Sequence, residues 1–224
     1  GMLLALDGYV KAGGWQKQYK DFPAGLWEAV SWKGKIYGIP IEGVVNCLFY
    51  RKDVLRKLGM SDAEMDRLFA PDAGQYTVQR LVDLATRARD AGLVEWGFTH
   101  RRGGGDYWFN SLMMFGAQFV DPSTGALVVD TAALRQDLEF HKLLVDRKLL
   151  PPDNASWDWK VIHKYSVEGR VLFWIGGHSG QWKEYQDVEY HEQLGKLTED
   201  YLQQNMGIAP FPGIKGPVTP VKVH

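Results

Sequence analysis

The sequence predicts an α/β protein whose chain crosses between two separately packed bodies, and three observations carry that prediction. The first is the stretch Lys33 to Leu55, where a short apolar run, Ile36 to Ile39, is stopped by Pro40. A proline offers no N–H to a neighbouring strand. After the flexible Glu42-Gly43 step a second apolar run, Val44 to Tyr50, begins with no helix between the two. Two strands that cannot be one, joined directly, imply passage from one sheet to another. The second observation is that runs of strand length alternate with capped, amphipathic helical stretches. The third is size: 224 residues with 45% hydrophobic content can bury a substantial core.

Taken in order, Leu3 to Tyr19 reads as a turn-and-helix segment interrupted at Gly13-Gly14. Phe22-Pro23 opens a short helix through Val30, and Trp32 begins the strand that turns at Gly34. Asp53 to Leu58 is a brief helix stopped at Gly59, and Met60 to Phe69 a further amphipathic stretch. Thr77 caps a helix over Val78 to Asp90, with Leu81, Leu84, Ala85 and Ala88 on one face, before a strand at Glu95 to Thr99. A helix over Tyr107 to Phe115 follows, then a tight turn with hairpin character at Asp121 to Val129. Thr131 is expected to cap a long helix to about Leu149, closed by Pro151-Pro152, with His141 on its apolar side beside Leu138 and Val145. A helix ends over Tyr165 to Gly169, Arg170 to Ile175 is a strand, Gly176 to Gly180 the turn behind it, and Trp182 to Leu202 a charged helix.

The formal charge of −1 gives no field favouring nucleic acid or an anionic membrane, and no basic run interleaves with aromatics. Cys47 is the one cysteine, which excludes an intrachain disulfide and a cysteine metal cluster; it reads as a small buried hydrophobe. No stretch reaches the roughly 18 apolar residues of a membrane span. The opening Gly-Met-Leu-Leu-Ala-Leu-Asp lacks the basic start and the length of a signal peptide, and Gly1 before Met2 reads as a tag remnant. His100 to Gly105 is basic and glycine-rich but lacks the Gly-Lys-Ser/Thr of a phosphate loop. Nine Trp stand among the aromatics; most should be core, since large rings bury well, and a surplus also suits stacking on sugar rings.

One set of residues resembles a known family. Gly34, Lys35, Tyr37, Gly38, Ile39 and Pro40, followed by Tyr50, Lys52, Asp53 and Leu55, follow the order and spacing of the segment that crosses between lobes in the extracellular solute-binding proteins of ABC importers, sugar-binding branch. Leu3, Leu6, Asp7 and Tyr9 loosely follow a first-lobe stretch of that family. Gly169, Val171, Phe173, Gly176 and Gly177 follow a strand that delivers a ligand-facing turn, with Val171-Leu172 where a small pair is usual. Gly207-Ile208-Ala209-Pro210-Phe211-Pro212-Gly213 resembles the strand that returns to the first lobe. Thr77 and Leu81 keep part of a helix start whose Trp and Glu are absent here.

The resemblance implies the periplasmic binding protein-like II fold. Residues 1–43 would be a first-lobe fragment with the crossing strand, 44–204 the second lobe and 205–224 the return crossing, the whole truncated at both ends. It implies non-catalytic capture of a sugar or similar polar solute by closure of two lobes about a hinge, delivery to an ABC permease, an extracytoplasmic location, and no cofactor or metal. Such capture needs flat aromatic faces and hydrogen-bonding groups in a cleft, not a nucleophile. Glu42 matches a polar ligand contact at the crossing, or is a solvated hinge carboxylate. Tyr107 and Trp108 resemble the aromatic pair facing the cleft, or are core. His178 and Ser179 in the glycine turn, with Trp182 one turn on, are the next set, and Asn46, an amide in an apolar run, needs a partner. Trp157-Asp158-Trp159 is either a sugar platform or a packed loop. A glycoside hydrolase-like enzyme and a non-binding remnant stand as alternatives, although no eightfold βα pattern and no Gly-x-Ser-x-Gly elbow is present.

Overall fold

The computed structural model describes residues 3–41, 43–101, 106–218 and 221–223. The chain divides into two compact units, Gly1–Val45 with Val221–His224, and Asn46–Pro220.

The first unit holds helices α1 (Asp7–Ala12), α2 (Trp15–Gln18) and α3 (Ala24–Ala29), then strands β1 (Ser31–Trp32) and β2 (Lys35–Ile36). The last two pair antiparallel around Lys33 and Gly34, whose φ of 48° and 74° make the left-handed pair of a tight hairpin turn. The expected Ile36 to Ile39 strand is therefore shorter than its apolar run: only Ile36 of it is paired. Strand β3 (Gly43–Arg51) begins in this unit, where Gly43 to Val45 pair with β7 (Val221–Val223), and continues into the second.

The second unit contains α4 (Lys52–Lys57), α5 (Asp62–Leu68), α6 (Val78–Asp90), β4 (Trp96–His100), α7 (Asp106–Met114), α8 (Thr131–Asp146), α9 (Trp159–Val167), β5 (Val171–His178), α10 (Gln181–Asp187), α11 (Glu199–Asn205) and β6 (Met206–Ala209). Its sheet has the order β4-β5-β3-β6; β4 and β5 are parallel, and β3 is antiparallel to both β5 and β6. Strand alternation sends successive β3 side chains to opposite faces. Leu48 and Tyr50 join Phe98, Phe173 and Ile175 against α6, α7 and α8. Cys47 and Phe49 join Trp174 and Met206 against α9, α10 and α11. The sheet is thus covered on both sides, which is why β5 reads as an unbroken apolar run.

Local chemistry explains most helix starts. Thr77 accepts from the Arg80 N–H, and Ser61 forms a reciprocal capping box with Glu64. Asp130, rather than the expected Thr131, caps α8 by accepting from the Ala132 and Ala133 N–H groups at 3.1 and 3.0 Å. Two further expectations are corrected. Gly176, Gly177 and His178 continue β5, so the turn is confined to Ser179-Gly180. Trp182 to Leu202 is two helices, because Gly195 turns with φ 65° and the side chains of Tyr190 and Leu197 are drawn into the core. The Asp121 turn forms as expected, closed by Ser123 and Thr124 N–H groups on its carboxylate, but a single bridge, Val120 to Leu127, stands in place of hairpin strands.

Candidate functional site

Because β4 and β5 are parallel and β3 runs antiparallel to β5, His100, His178 and Asn46 of β3 share one edge of the second unit's sheet. Asn46, buried on β3, sits opposite His178 in the register. Open α/β sheets present ligand sites beyond the carboxyl ends of their strands, and this is that edge.

Helix α7 brings Tyr107 and Trp108 to it, in unlike states. Tyr107 is buried; its ring stacks on His100 with centroids 4.5 Å apart and planes 9° apart. A Cβ at residue 176 would lie 2.9 Å from the Tyr107 ring, so a glycine with φ 101° is required where they meet. Burial raises the Tyr107 phenol well above its ordinary range and lowers the His100 imidazole to about 4, so both rings are neutral at neutral pH. His100 Nδ1 donates to the Arg101 carbonyl at 2.8 Å, and Asn154, itself accepting from Thr99 at 2.8 Å, donates to the His100 carbonyl at 3.1 Å. Trp108, one residue on and about 100° round the helix, is 45% exposed. Its Nε1 donates to Asp137 Oδ2 at 3.2 Å.

Asp137 is fully buried on α8. Its Oδ1 accepts from the Ser111 hydroxyl and lies 3.5 Å from His141 Nε2, while Ser111 Oγ and His141 Nε2 are 3.4 Å apart. A serine, a histidine and an aspartate in contact invite a nucleophile reading. A relay needs the acid on one ring nitrogen and the hydroxyl on the other. Here both meet Nε2, and the hydroxyl donates to the carboxylate, so the arrangement holds side chains in place.

The other expected contacts scatter. Glu42 lies outside the described residues, as do Arg102 to Gly105. The His178 N–H donates to Gln181 Oε1 at 2.7 Å; Ser179 is exposed in the turn. The Trp182 indole donates to both oxygens of Glu199 at 2.9 and 3.1 Å, and Gln186 and Gln203 donate to the same carboxylate. Those donors, Gln203 first, hold Glu199 below the usual carboxylate range. Trp182 is therefore tied to α11, whereas Tyr107, Trp108, His100 and Asp137 form one contiguous cluster. In the Trp157-Asp158-Trp159 segment, Trp157 is buried against Tyr165 at 4.4 Å, Asp158 caps α9 and Trp159 is 44% exposed. Met114 and Cys47 are core; burial pushes the Cys47 thiol up to about 12.

Asp137 is absent from the expected site because the sequence puts the apolar side of α8 at Leu138 and Val145, which are in fact 57% and 60% exposed. The buried stripe is Ala133, Asp137, Phe140 and Leu144. A carboxylate at a stripe position, with a histidine four residues on, was the available signal.

The chain belongs to the family of bacterial extracellular solute-binding proteins, whose model matches residues 1–220. No curated protein matches it. Among solved structures, maltose-bound MalE3 of T. maritima is 22% identical, with TM-score 0.67, over 98% of this chain and 51% of that one. A solute-binding protein of Agrobacterium radiobacter K84 in complex with ribitol is 21% identical, TM-score 0.69, over 98% and 51%. The GacH receptor of Streptomyces glaucescens, solved unliganded and with acarbose, is 24% identical, TM-score 0.68, over 99% and 50%. These likenesses establish the fold, and with the family match they bear out the resemblance read from residues 33–55. The chain spans about half the length of the solved structures it matches. No described helix is long and apolar enough to cross a membrane.

Proposed function

We propose that this chain binds a sugar, sugar alcohol or similar polar solute without transforming it, as part of a solute-binding protein serving an ABC import permease outside the cytoplasm. The observation that carries the reading is Trp108: a half-exposed indole at the carboxyl edge of the sheet, its N–H held by a buried carboxylate and its ring open to solvent. An aromatic face suits the apolar side of a pyranose or an extended polyol. The relatives solved with maltose, ribitol and acarbose support the choice of ligand class.

Within this reading His178, Ser179 and Asn46 supply hydrogen bonds from the same edge. Glu42 belongs to the proposed set through the family resemblance, and Tyr107 acts as the packed support of Trp108. Trp182 keeps its place in the set only if its ring face, rather than its N–H, meets solute. In the proposed arrangement residues 1–43 are a first-lobe fragment with the crossing strand, 44–204 the second lobe and 205–224 the return crossing, with hinge closure of the two lobes as the mechanism.

A thermal-shift series with maltose, ribitol and acarbose tests the reading, since a ligand that binds only the folded state raises Tm by mass action. Trp108→Ala should abolish whichever shift the unaltered chain gives; a retained shift removes Trp108 from the site. Turnover of a chromogenic glycoside by the chain would replace binding with an enzyme.

A further inference from the structure

Asp137 makes no contact that a ligand would recognise, yet it is the most completely enclosed acidic group in the Trp108 cluster. Its side chain has no exposure, and a carboxylate in that state is tolerated only when its oxygens are saturated with donors. The structure supplies them unequally. Oδ1 takes the Ser111 hydroxyl and faces His141 Nε2 at 3.5 Å. Oδ2 takes the Trp108 indole N–H at 3.2 Å. Ser111 is fully buried and the His141 side chain is 23% exposed, so Trp108 is the member of the network with the most surface in water. One edge of the indole is thereby anchored while the ring stays accessible.

We propose that Asp137 is the positioning residue of this site: through Oδ2 it fixes the orientation of the Trp108 indole, and Ser111 with His141 fixes Asp137 in turn. The proposal rests on the reading of Trp108 as the ligand's stacking surface. An unanchored indole on a helix surface samples several rotamers, and ordering it on binding costs affinity; holding it beforehand removes that cost. The hydrogen bond is charge-assisted, and its acceptor is reached from a neighbouring helix, so the anchor does not depend on α7 alone.

The test reads the ring directly. In 15N-labelled chain, the Trp108 indole N–H signal is identified by its disappearance in Trp108→Phe. Asp137→Leu should move that signal to the position of a water-exposed indole and speed its hydrogen exchange on the order of tenfold, the loss of one bond to a charged group. Asp137→Asn keeps the shape and one acceptor and should give a smaller change of the same sign; it carries the test if the leucine variant does not fold. The Trp182 indole, held by Glu199, should stay unmoved in both. An unchanged Trp108 signal and exchange rate in the folded variants overturns the proposal. Melting shifts with maltose and ribitol form the second arm. A weaker shift in Asp137→Asn alongside the moved indole supports positioning, while a full shift in that variant with a displaced indole overturns it. If Trp108→Ala retains the shift, the ligand reading fails, and the indole signal still decides whether Asp137 holds the ring.

Discussion

Trp174 and Trp32 are the same residue under opposite conditions, and the two units differ as they do. Trp174, on β5, is 1% exposed, stacks on Phe49 at 5.0 Å and lies 4.9 Å from the His163 ring. Trp32, on β1, is 57% exposed, with the Lys33 ammonium 6.0 Å from its centroid. Around Trp174 the second unit buries hydrophobic side chains on both faces of one sheet. Among the described residues of the first unit Val10 and Pro40 are the buried apolar side chains, while Leu3, Leu4, Tyr9 and Ile41 are all 58% exposed or more. An apolar residue stabilises a fold in proportion to the area it removes from water. The second unit therefore carries its own stability, and the described residues of the first contribute little of their own.

The sharpest way to break that comparison is to cut into the second unit's core. Trp174→Ala should cost about 3–5 kcal/mol, from lost transfer energy and the cavity left behind. Arg51→Met should cost less, and by a different route. Arg51 is 4% exposed; it forks onto Asp53 at 2.8 and 3.0 Å and donates to the Ser166 carbonyl at 3.2 Å and to the Val167 carbonyl. Its removal takes both guanidinium donors from Asp53, whose side chain is 24% exposed, and one donor from each carbonyl, while the Tyr201 hydroxyl still donates to Val167 and the Gly169 N–H to Ser166, a loss of about 1.5–3 kcal/mol. Urea denaturation checks both. A cost below about 1 kcal/mol for Trp174→Ala, within the range of surface changes, would mean that the two-sided core does not carry the unit.

Acid should act on the second unit through His163. That ring is fully buried among Trp159, Trp174, Tyr185 and Tyr190, 3.4 Å from Gln181 Nε2, and burial with the Arg101 charge lowers it to about 3. The unfolded chain takes up a proton near the ordinary value of 6.5 while the folded chain does not until about 3. Stability is thus complete above pH 6.5 and declines as pH falls toward 3, by on the order of a few kcal/mol from this ring. His100, lowered to about 4, adds a loss of the same sign over a narrower window. His163→Phe should flatten the decline between pH 6.5 and 4.5, leaving the share of His100. An unaltered slope in that variant would place the charge-sensitive group elsewhere.

How much of this was legible follows from where local and tertiary signals agree. Thr77 and the stripe behind it define α6 because cap chemistry and burial point the same way, and the same holds for the apolar runs of β3 and β5. Gly176 and Gly177 read as a turn but lie in a strand. Their missing side chains admit Tyr107 and Phe49, whose ring atoms would meet a Cβ at 2.9 and 2.6 Å, a requirement set by residues distant in sequence. Tyr190 and Leu197 break an otherwise helical charge pattern for the same reason. At the site, the exposure of Trp108 and the burial of Tyr107 could not be told apart from adjacent letters. Asp137 became visible only when the buried side of α8 was known.

The smallest expected effect is the most discriminating for the first unit. Trp32→Ala removes a side chain larger than most that line the second core, yet its ring is 57% exposed and its cation neighbour is solvated. An exposed cation–π pair is worth about 0.5–1 kcal/mol at most, and exposed substitutions generally fall within about 0.5 kcal/mol. The unfolding midpoint of the second unit should therefore stay where it is, whereas Val10→Ala, at 0% exposure, should open the first unit to amide exchange earlier than Trp32→Ala does. Equal exchange in the two variants would mean that Val10 is not the centre of that unit. A large loss from Trp32→Ala would mean that its apolar surface is covered in solution, and the contrast with Trp174 would then narrow to one between a core and an interface.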